Sequence, residues 1–102
     1  MKNRPTAIFA VNDPVAIGAY LALKAMGIYV PDDMALVGFG GMREGAFLGA
    51  PLTTVVQPAQ QIGKTAYQML IEEIERGIKS TRKVQIIPRL LIRESCGTKL
   101  KI

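Results

Sequence analysis

Short apolar runs separated by polar turns dominate the first half of the chain. Three runs are rich in branched or aromatic residues and long enough for buried strands, at 7–11, 34–39 and 52–56. Between the first two, residues 14–26 have a helical composition, and Gly27 can end the helix. Strand, helix and strand within about thirty residues predict a right-handed βαβ unit. The predicted fold class is therefore α/β, a parallel sheet with flanking helices.

Two further segments complete the predicted architecture. Residues 58–76 place apolar residues at helical spacing, and Gly77 closes this second helix. Residues 83–87 and 90–93 are predicted to form two short strands. Pro88 lies between them, and a proline prevents one continuous central strand. The glycine-rich passage 40–51 has room for one short helical turn. The 102 residues are enough for one small domain.

Polar residues follow the predicted strands where each strand ends. Asn12 and Asp13 come directly after the first strand, and Asp13 can cap the next helix. Gln57 repeats this pattern after the third strand, and Gly40 follows the second. The carboxyl ends of parallel strands meet at one edge, where open α/β sheets bind small ligands. Asn12, Gly40 and Gln57 are therefore predicted to contact a ligand.

The presence of Gly40 and Arg43 near this edge can also be explained without a ligand. Glycine at Gly40 lets the backbone approach a ligand, but tight turning also requires glycine and is the simpler reason. Arg43 could clamp an anion or a sugar, whereas an arginine that faces solvent is the simpler interpretation. Arg43 is kept as a candidate ligand contact.

The first helix carries very little polar surface. Residues 14–26 contain a single charge, Lys24. Such a helix should be covered on more than one side. One side can face the sheet, and the other is covered either by more of a larger domain or by a second copy of the chain.

Composition restricts the possible functions. The sequence has no 18-residue apolar run and no signal peptide, which indicates a cytoplasmic protein without a membrane anchor. Histidine is absent and Cys96 is the only cysteine, so the usual nucleophile, acid and base are missing. We therefore expect no enzyme, no metal site and no cofactor.

Positive charge is concentrated near the end of the chain. From position 79 onwards, the chain has Glu94 as its single acidic residue and seven basic residues: Lys79, Arg82, Lys83, Arg89, Arg93, Lys99 and Lys101. They could form a nucleic-acid footprint. A solvated edge strand and tail is the simpler reading, because no aromatic residues lie among them.

Several short motifs keep the order and spacing of one known family. They are RPTAIFAVND at 4–13, AIGA at 16–19, GIYVPDD at 27–33, VGF at 37–39, PLTTV at 51–55, Gln57-Pro58, and RESCG at 93–97. Together they resemble the C-terminal part of the lactose-repressor/galactose-repressor (LacI/GalR) family of bacterial transcription regulators. The resemblance extends over residues 4 to 97.

The resemblance implies part of a type I, periplasmic-binding-protein-like, two-lobed fold that holds a small effector, a sugar or related metabolite, between its lobes. In that family an N-terminal helix-turn-helix, absent from this chain, reads operator DNA. Asn12 and Gln57 match effector-binding positions. Family members usually carry aspartate at the position of Gly40, in a Gly-Phe-Asp motif. Since glycine has no acceptor oxygens, we expect that no sugar diol is gripped there, or that the site has lost its ligand.

The resemblance also implies that the chain crosses between lobes near Gln57 and Pro88. The second helix and the strand at Val84 would then belong to a lobe that is missing here. Exposed apolar surfaces of that kind promote association, so a homo-oligomer, in the simplest case a dimer, is expected.

The family tends to dimerise through the first helix and the segment around Leu48. The candidate contacts are Ile17, Tyr20, Leu21 and Leu48. The alternative function is a fragment of a sugar-transport substrate-binding protein with the same fold.

Overall fold

The computed structural model describes residues 3–77 and 82–98, and a four-stranded sheet lies at its centre. The strands are β1 (Ala7–Phe9), β2 (Ala35–Gly40), β3 (Thr53–Val56) and β4 (Arg89–Leu91), in that spatial order. β1, β2 and β3 are parallel, and β4 is antiparallel to β3. The predicted parallel α/β arrangement is confirmed, with an antiparallel edge strand in addition.

The carboxyl ends of β1, β2 and β3 share one edge of the sheet. Phe9 lies opposite Val37, and Gly40 lies opposite Val56. Asn12 follows β1, and Gln57 follows β3 directly. We call the edge marked by Asn12, Gly40 and Gln57 the carboxyl edge.

The first helix, α1 (Asp13–Ala25), covers one face of the sheet. Its fully buried Ala16 belongs to the same core cluster as Leu36 and Leu52. Asn12 caps the helix, because its side-chain oxygen accepts a hydrogen bond from the Val15 N–H at 2.9 Å. The prediction that Asp13 caps the helix is therefore wrong, since Asp13 lies inside the first turn with its side chain buried.

The opposite face of the sheet remains open at its margins. Phe9 and Leu90 lie on this face, and they are 69% and 56% exposed. α1 is likewise open on its outer side, where Val15, Leu21 and Met26 are exposed. Of its two sides, only the one toward the sheet is covered within the described residues.

The C-terminal segment joins β2 to β3 at the other edge of the sheet. Ser95 is fully buried, and its hydroxyl donates to the Leu36 carbonyl and accepts from the Thr53 N–H. The Leu36 N–H donates to the Ser95 carbonyl at 2.8 Å. This clasp aligns β2 and β3 at their amino ends, opposite the carboxyl edge.

The second helix, α2 (Ala59–Arg76), extends away from the sheet and buries none of its residues. The chain measures 60 × 24 × 23 Å, with a radius of gyration of 18.6 Å. A compact domain of about 100 residues has a radius of gyration of about 13 Å. The amphipathic helix predicted at 58–76 is confirmed, but its apolar stripe lies outside the core.

The segment after α2 differs from its prediction. Arg82 holds it against α2 through Glu72 at 2.6 Å, and Val84 and Ile86 face the helix across a groove. No strand forms at 83–87, so that prediction is wrong. A strand needs a neighbour for its hydrogen bonds, and no described strand lies beside this segment.

Lys79, Lys99 and Lys101, part of the basic cluster, lie outside the described residues. Among residues 3–77 and 82–98, no helix is both long and apolar enough to cross a membrane.

Candidate functional site

A buried carboxylate connects the elements of the carboxyl edge. Asp13 is 1% exposed, and its Oδ2 accepts a hydrogen bond from the Met42 N–H at 2.6 Å. Its Oδ1 accepts from the Thr54 hydroxyl at 2.7 Å. The Thr54 oxygen in turn accepts from the Gly41 N–H at 3.3 Å. One side chain at the start of α1 thus fixes the loop after β2 and the side chain of a β3 residue.

Gly38 makes room for this carboxylate. A Cβ atom at Gly38 would collide with Oδ1 of Asp13, so only glycine allows β2 to pass this close. Thr54 is fully buried and places its hydroxyl on the same face as Gly38, its partner in the β2–β3 register. Gly38 thus leaves the space for the Asp13 carboxylate, and Thr54 donates a hydrogen bond to it.

Asn12 is held in one orientation by its capping role. Its Oδ1 accepts from Val15, while the residue itself stays exposed at the carboxyl edge. The amide nitrogen has no protein partner among the described residues. A carboxamide with an engaged oxygen and a free NH₂ group can donate hydrogen bonds to a ligand oxygen.

The loop after β2 turns sharply over the end of β3. Gly40 has φ 128° and Gly41 has φ 80°, both in the region that favours glycine. A Cβ at Gly41 would lie 3.1 Å from the Cα of Val56. Tight turning is thus confirmed as a reason for these glycines, and ligand contact at Gly40 stays a prediction.

The remaining predicted ligand contacts lie exposed near the same edge. Gln57 is exposed, and its carbonyl accepts from the Ala59 N–H at 2.8 Å at the start of α2. Arg43 is exposed and begins a 3₁₀ turn, Arg43–Phe47, that confirms the predicted short helical turn. The sheet therefore brings Asn12, Gly40 and Gln57 to one edge, with Arg43 three residues beyond Gly40.

Sequence reasoning missed the residues that hold this edge together. The sequence predicts Asp13 as a helix cap and Thr54 as one of the branched residues of the third strand. A signal was present, because a threonine in a strand with buried neighbours requires a polar partner for its hydroxyl. The sequence does not show that this partner is Asp13.

The predicted dimer contacts fall into two groups. Tyr20 and Leu48 pack partly against the core cluster of their own chain. The Tyr20 hydroxyl lies against Gly49, so α1 and the segment around Leu48 form adjacent surfaces. Leu21 is 56% exposed, and Ile17 is half-buried. Leu21 is the best placed of the four for a contact with another molecule.

Cys96 lies away from the carboxyl edge, beside the amino end of β3. The pKa of its thiol lies below the ordinary value: burial raises this pKa, but hydrogen bonds with the Thr53 and Thr98 side chains and with the backbone of Cys96 and Thr98 together lower it by more. Asp33, in the acidic pair at 32–33, accepts a hydrogen bond from the Tyr29 N–H, as a turn residue does.

Comparison with known proteins identifies the fold family. Residues 1–96 match the profile of the periplasmic binding protein-like domain. This chain belongs to that family. Within the periplasmic binding protein-like family, the predicted resemblance to the LacI/GalR regulators is also confirmed by sequence relatives and by solved structures.

Two transcriptional repressors illustrate the sequence similarity. The HTH-type transcriptional repressor PurR of Vibrio parahaemolyticus is 36% identical over 95 residues, which are 93% of this chain and 28% of that protein. The ribose operon repressor of Haemophilus influenzae is 33% identical over 93 residues, which are 91% of this chain and 28% of that repressor. The chain thus spans little more than a quarter of the length of these relatives.

Solved structures of LacI regulators share the fold. The LacI family transcriptional regulator from Enterococcus faecium, with bound ribose, superposes with a TM-score of 0.84 at 28% identity, over 92% of this chain and 35% of that chain. A putative transcriptional regulator LacI from Bacillus cereus gives a TM-score of 0.89 at 30% identity, over 94% and 34%. The chain therefore corresponds to part of a LacI-type effector domain.

The hydrogen bonds of Asp13 should contribute to the free energy of unfolding. We expect Asp13→Asn to lower the free energy of unfolding by about 2 kcal/mol, because one buried donor loses its acceptor. Urea denaturation followed by circular dichroism measures the change. Asp32→Asn is the matched control, since Asp32 is exposed, and it should change the free energy by less than about 0.5 kcal/mol. Equal stability of the two variants would contradict the assigned role of Asp13.

Proposed function

We propose that this chain is the effector-binding and dimerisation part of a LacI/GalR-type DNA-binding transcription regulator in the cytoplasm, which senses a sugar or related metabolite. The observation that carries this proposal is the carboxyl edge, where the Asp13 network holds the polypeptide around Asn12, Gly40 and Gln57. The Enterococcus faecium neighbour has bound ribose, and another neighbour is a transcriptional regulator CelR–cellobiose complex. These neighbours support a sugar-like effector.

The chemistry of the carboxyl edge supports binding rather than catalysis. Both oxygens of Asp13 accept hydrogen bonds, and the side chain is shielded from solvent. A general acid or base must reach its substrate, so Asp13 is unsuited to that role. Asn12 and Gln57 carry carboxamides, which bind ligands but do not exchange protons at neutral pH. We propose that the protein is not an enzyme.

Operator recognition is proposed to lie outside these 102 residues, in an N-terminal helix-turn-helix domain. The relatives named as transcriptional repressors favour this regulator over the transport-protein alternative. We further propose, from the family resemblance, that the chain crosses between lobes near Gln57 and Pro88, with α2 and the segment after it in a second lobe of the whole protein. The exposed apolar stripe of α2 supports this assignment, because such a stripe is normally covered.

A nuclear magnetic resonance titration tests effector binding. We expect ribose or a ribose derivative to shift the backbone amides of Gly40, Gly41 and Gln57 in the ¹⁵N-labelled chain, because the ligand would contact this edge. Amides at the other end of the sheet, such as Leu36, serve as the internal control. The proposal fails if every ribose-based ligand leaves the carboxyl edge unchanged. Tight binding of ribose that 2-deoxyribose cannot reproduce would contradict the expectation that no diol is gripped at Gly40.

We propose that the whole protein forms a dimer through α1 and the segment around Leu48. The outer side of α1 exposes apolar residues without a covering element: Val15, Leu21, Ala22, Ala25 and Met26. Lys24 is the one basic residue in its last turn. An apolar surface of this kind favours self-association over exposure to water.

A pair of leucine variants tests the dimer contact. Leu21→Glu should weaken self-association of the chain by at least about a hundredfold, because each copy would place a charge where it had buried a leucine. Sedimentation equilibrium measures the association constant. Leu70→Glu is the matched control, since Leu70 on α2 is 54% exposed and Leu21 is 56% exposed. A monomeric parent chain, or loss of association in the Leu70 variant alone, would contradict the proposed contact.

A further inference from the structure

Arg89 lies in one row with the loop that closes the carboxyl edge. It is opposite Val56 in the β3–β4 register, and Val56 is opposite Gly40 in the β2–β3 register. Residues opposite each other point to the same face of a sheet. Neighbouring strands are about 4.8 Å apart, so the Arg89 backbone lies about 10 Å from Gly40. Because β4 is antiparallel, its first residue, Arg89, stands at the carboxyl edge.

Arg43 approaches the same edge from the loop after β2. The Met42 N–H is fixed to the Asp13 carboxylate at 2.6 Å, so the backbone just before Arg43 is anchored. Arg43 then begins the 3₁₀ turn and is exposed. The two arginines therefore belong to different elements but stand beside the same glycine loop.

Neither guanidinium is neutralised within the described part of the chain. Among residues 3–77 and 82–98, Arg43 and Arg89 take part in no ion pair and no side-chain hydrogen bond. The nearby carboxylate of Asp13 is buried, and both its oxygens are occupied. Glu44, the residue after Arg43, is the one exposed carboxylate on this loop. Two cations thus stand against one exposed anion.

The other polar groups of the edge also favour a negatively charged ligand. The oxygen of Asn12 is used in capping, so its free NH₂ group can only donate. The amino end of α2 lies at this edge and adds partial positive charge, since its first turn contains no acidic residue. Gln57 can both donate and accept. Donors and positive charge therefore outnumber the groups that would accept hydrogen bonds from neutral hydroxyls.

We propose that the effector carries an oxyanion, a phosphate or a carboxylate, beside its sugar-like hydroxyls, and that Arg43 and Arg89 bind this group. This proposal rests on the proposed effector function and adds the charge of the ligand. A guanidinium presents paired N–H donors whose spacing matches the oxygens of either anion. A Cβ atom added at Gly40 would meet no other atom within 4 Å, so the turn leaves open space beside Gly40.

The test compares three probes on the ¹⁵N-labelled chain: ribose, ribose 5-phosphate and ribonate. We expect the two anions to bind at least about fivefold more tightly than ribose, as an exposed ion pair contributes. Shifts should centre on Gly40, Gly41 and Gln57. Comparison of ribose 5-phosphate with ribonate shows whether the preferred oxyanion is the phosphate or the carboxylate.

Charge-neutralising variants assign the contacts. Arg43→Gln and Arg89→Gln should each weaken binding of the preferred anion about fivefold, with little effect on ribose. Arg4→Gln is the matched control, because Arg4 is exposed and precedes β1 at the opposite edge of the sheet. It should bind the anion like the parent chain. The ¹⁵N spectrum of each variant shows whether the fold is retained.

The possible failures are distinguishable. If ribose shifts the carboxyl edge as strongly as either anion, the anionic effector is overturned and the effector site stands. If the anions bind but the Arg4 variant loses as much affinity as the other two, the binding is general charge attraction and the proposal is also overturned. If no probe shifts the edge, the proposed effector function fails as well.

Discussion

The burial of the Asp13 carboxylate is the constraint on which the arrangement of the carboxyl edge depends. Transfer of an ion from water into a protein interior costs several kcal/mol unless hydrogen bonds replace the lost hydration. Here the replacements come from the Met42 N–H and the Thr54 hydroxyl, on the loop after β2 and on β3. The chain therefore buries Asp13 only when these elements meet. Stability and site geometry are coupled through the same two hydrogen bonds.

The residues that build the edge differ from those that can meet a ligand. Asp13, Thr54 and Gly38 are buried and satisfied by one another. Gln57, Arg43 and Arg89 are exposed and carry polar or charged groups. Because these side chains take no part in the buried network, their chemistry is independent of the frame that holds the edge. In this chain the exposed positions favour an anion.

The sequence predicted those parts of the fold whose signals are local. β1, β2, β3 and both helices follow from apolar runs, helical spacing and closing glycines, all within a few residues. The role of Asp13 was missed, because its partner Thr54 lies 41 residues away and Asn and Asp cap helices equally well. The prediction of a strand at 83–87 is wrong for a related reason. A strand requires a neighbouring strand for its hydrogen bonds, and the alternation of apolar residues within 83–87 does not show whether one is present.

Native-state hydrogen exchange at the Met42 amide tests the central claim most directly. Its acceptor is the Asp13 carboxylate, so its protection reports this contact rather than a sheet hydrogen bond. We expect the Met42 amide to be protected nearly as well as the Leu36 amide near the amino end of β2, and to lose that protection in Asp13→Ala, which removes the acceptor. Exchange of Met42 in the parent chain at the rate of an unstructured peptide would contradict the account, since the carboxyl edge would then lack its fixed frame.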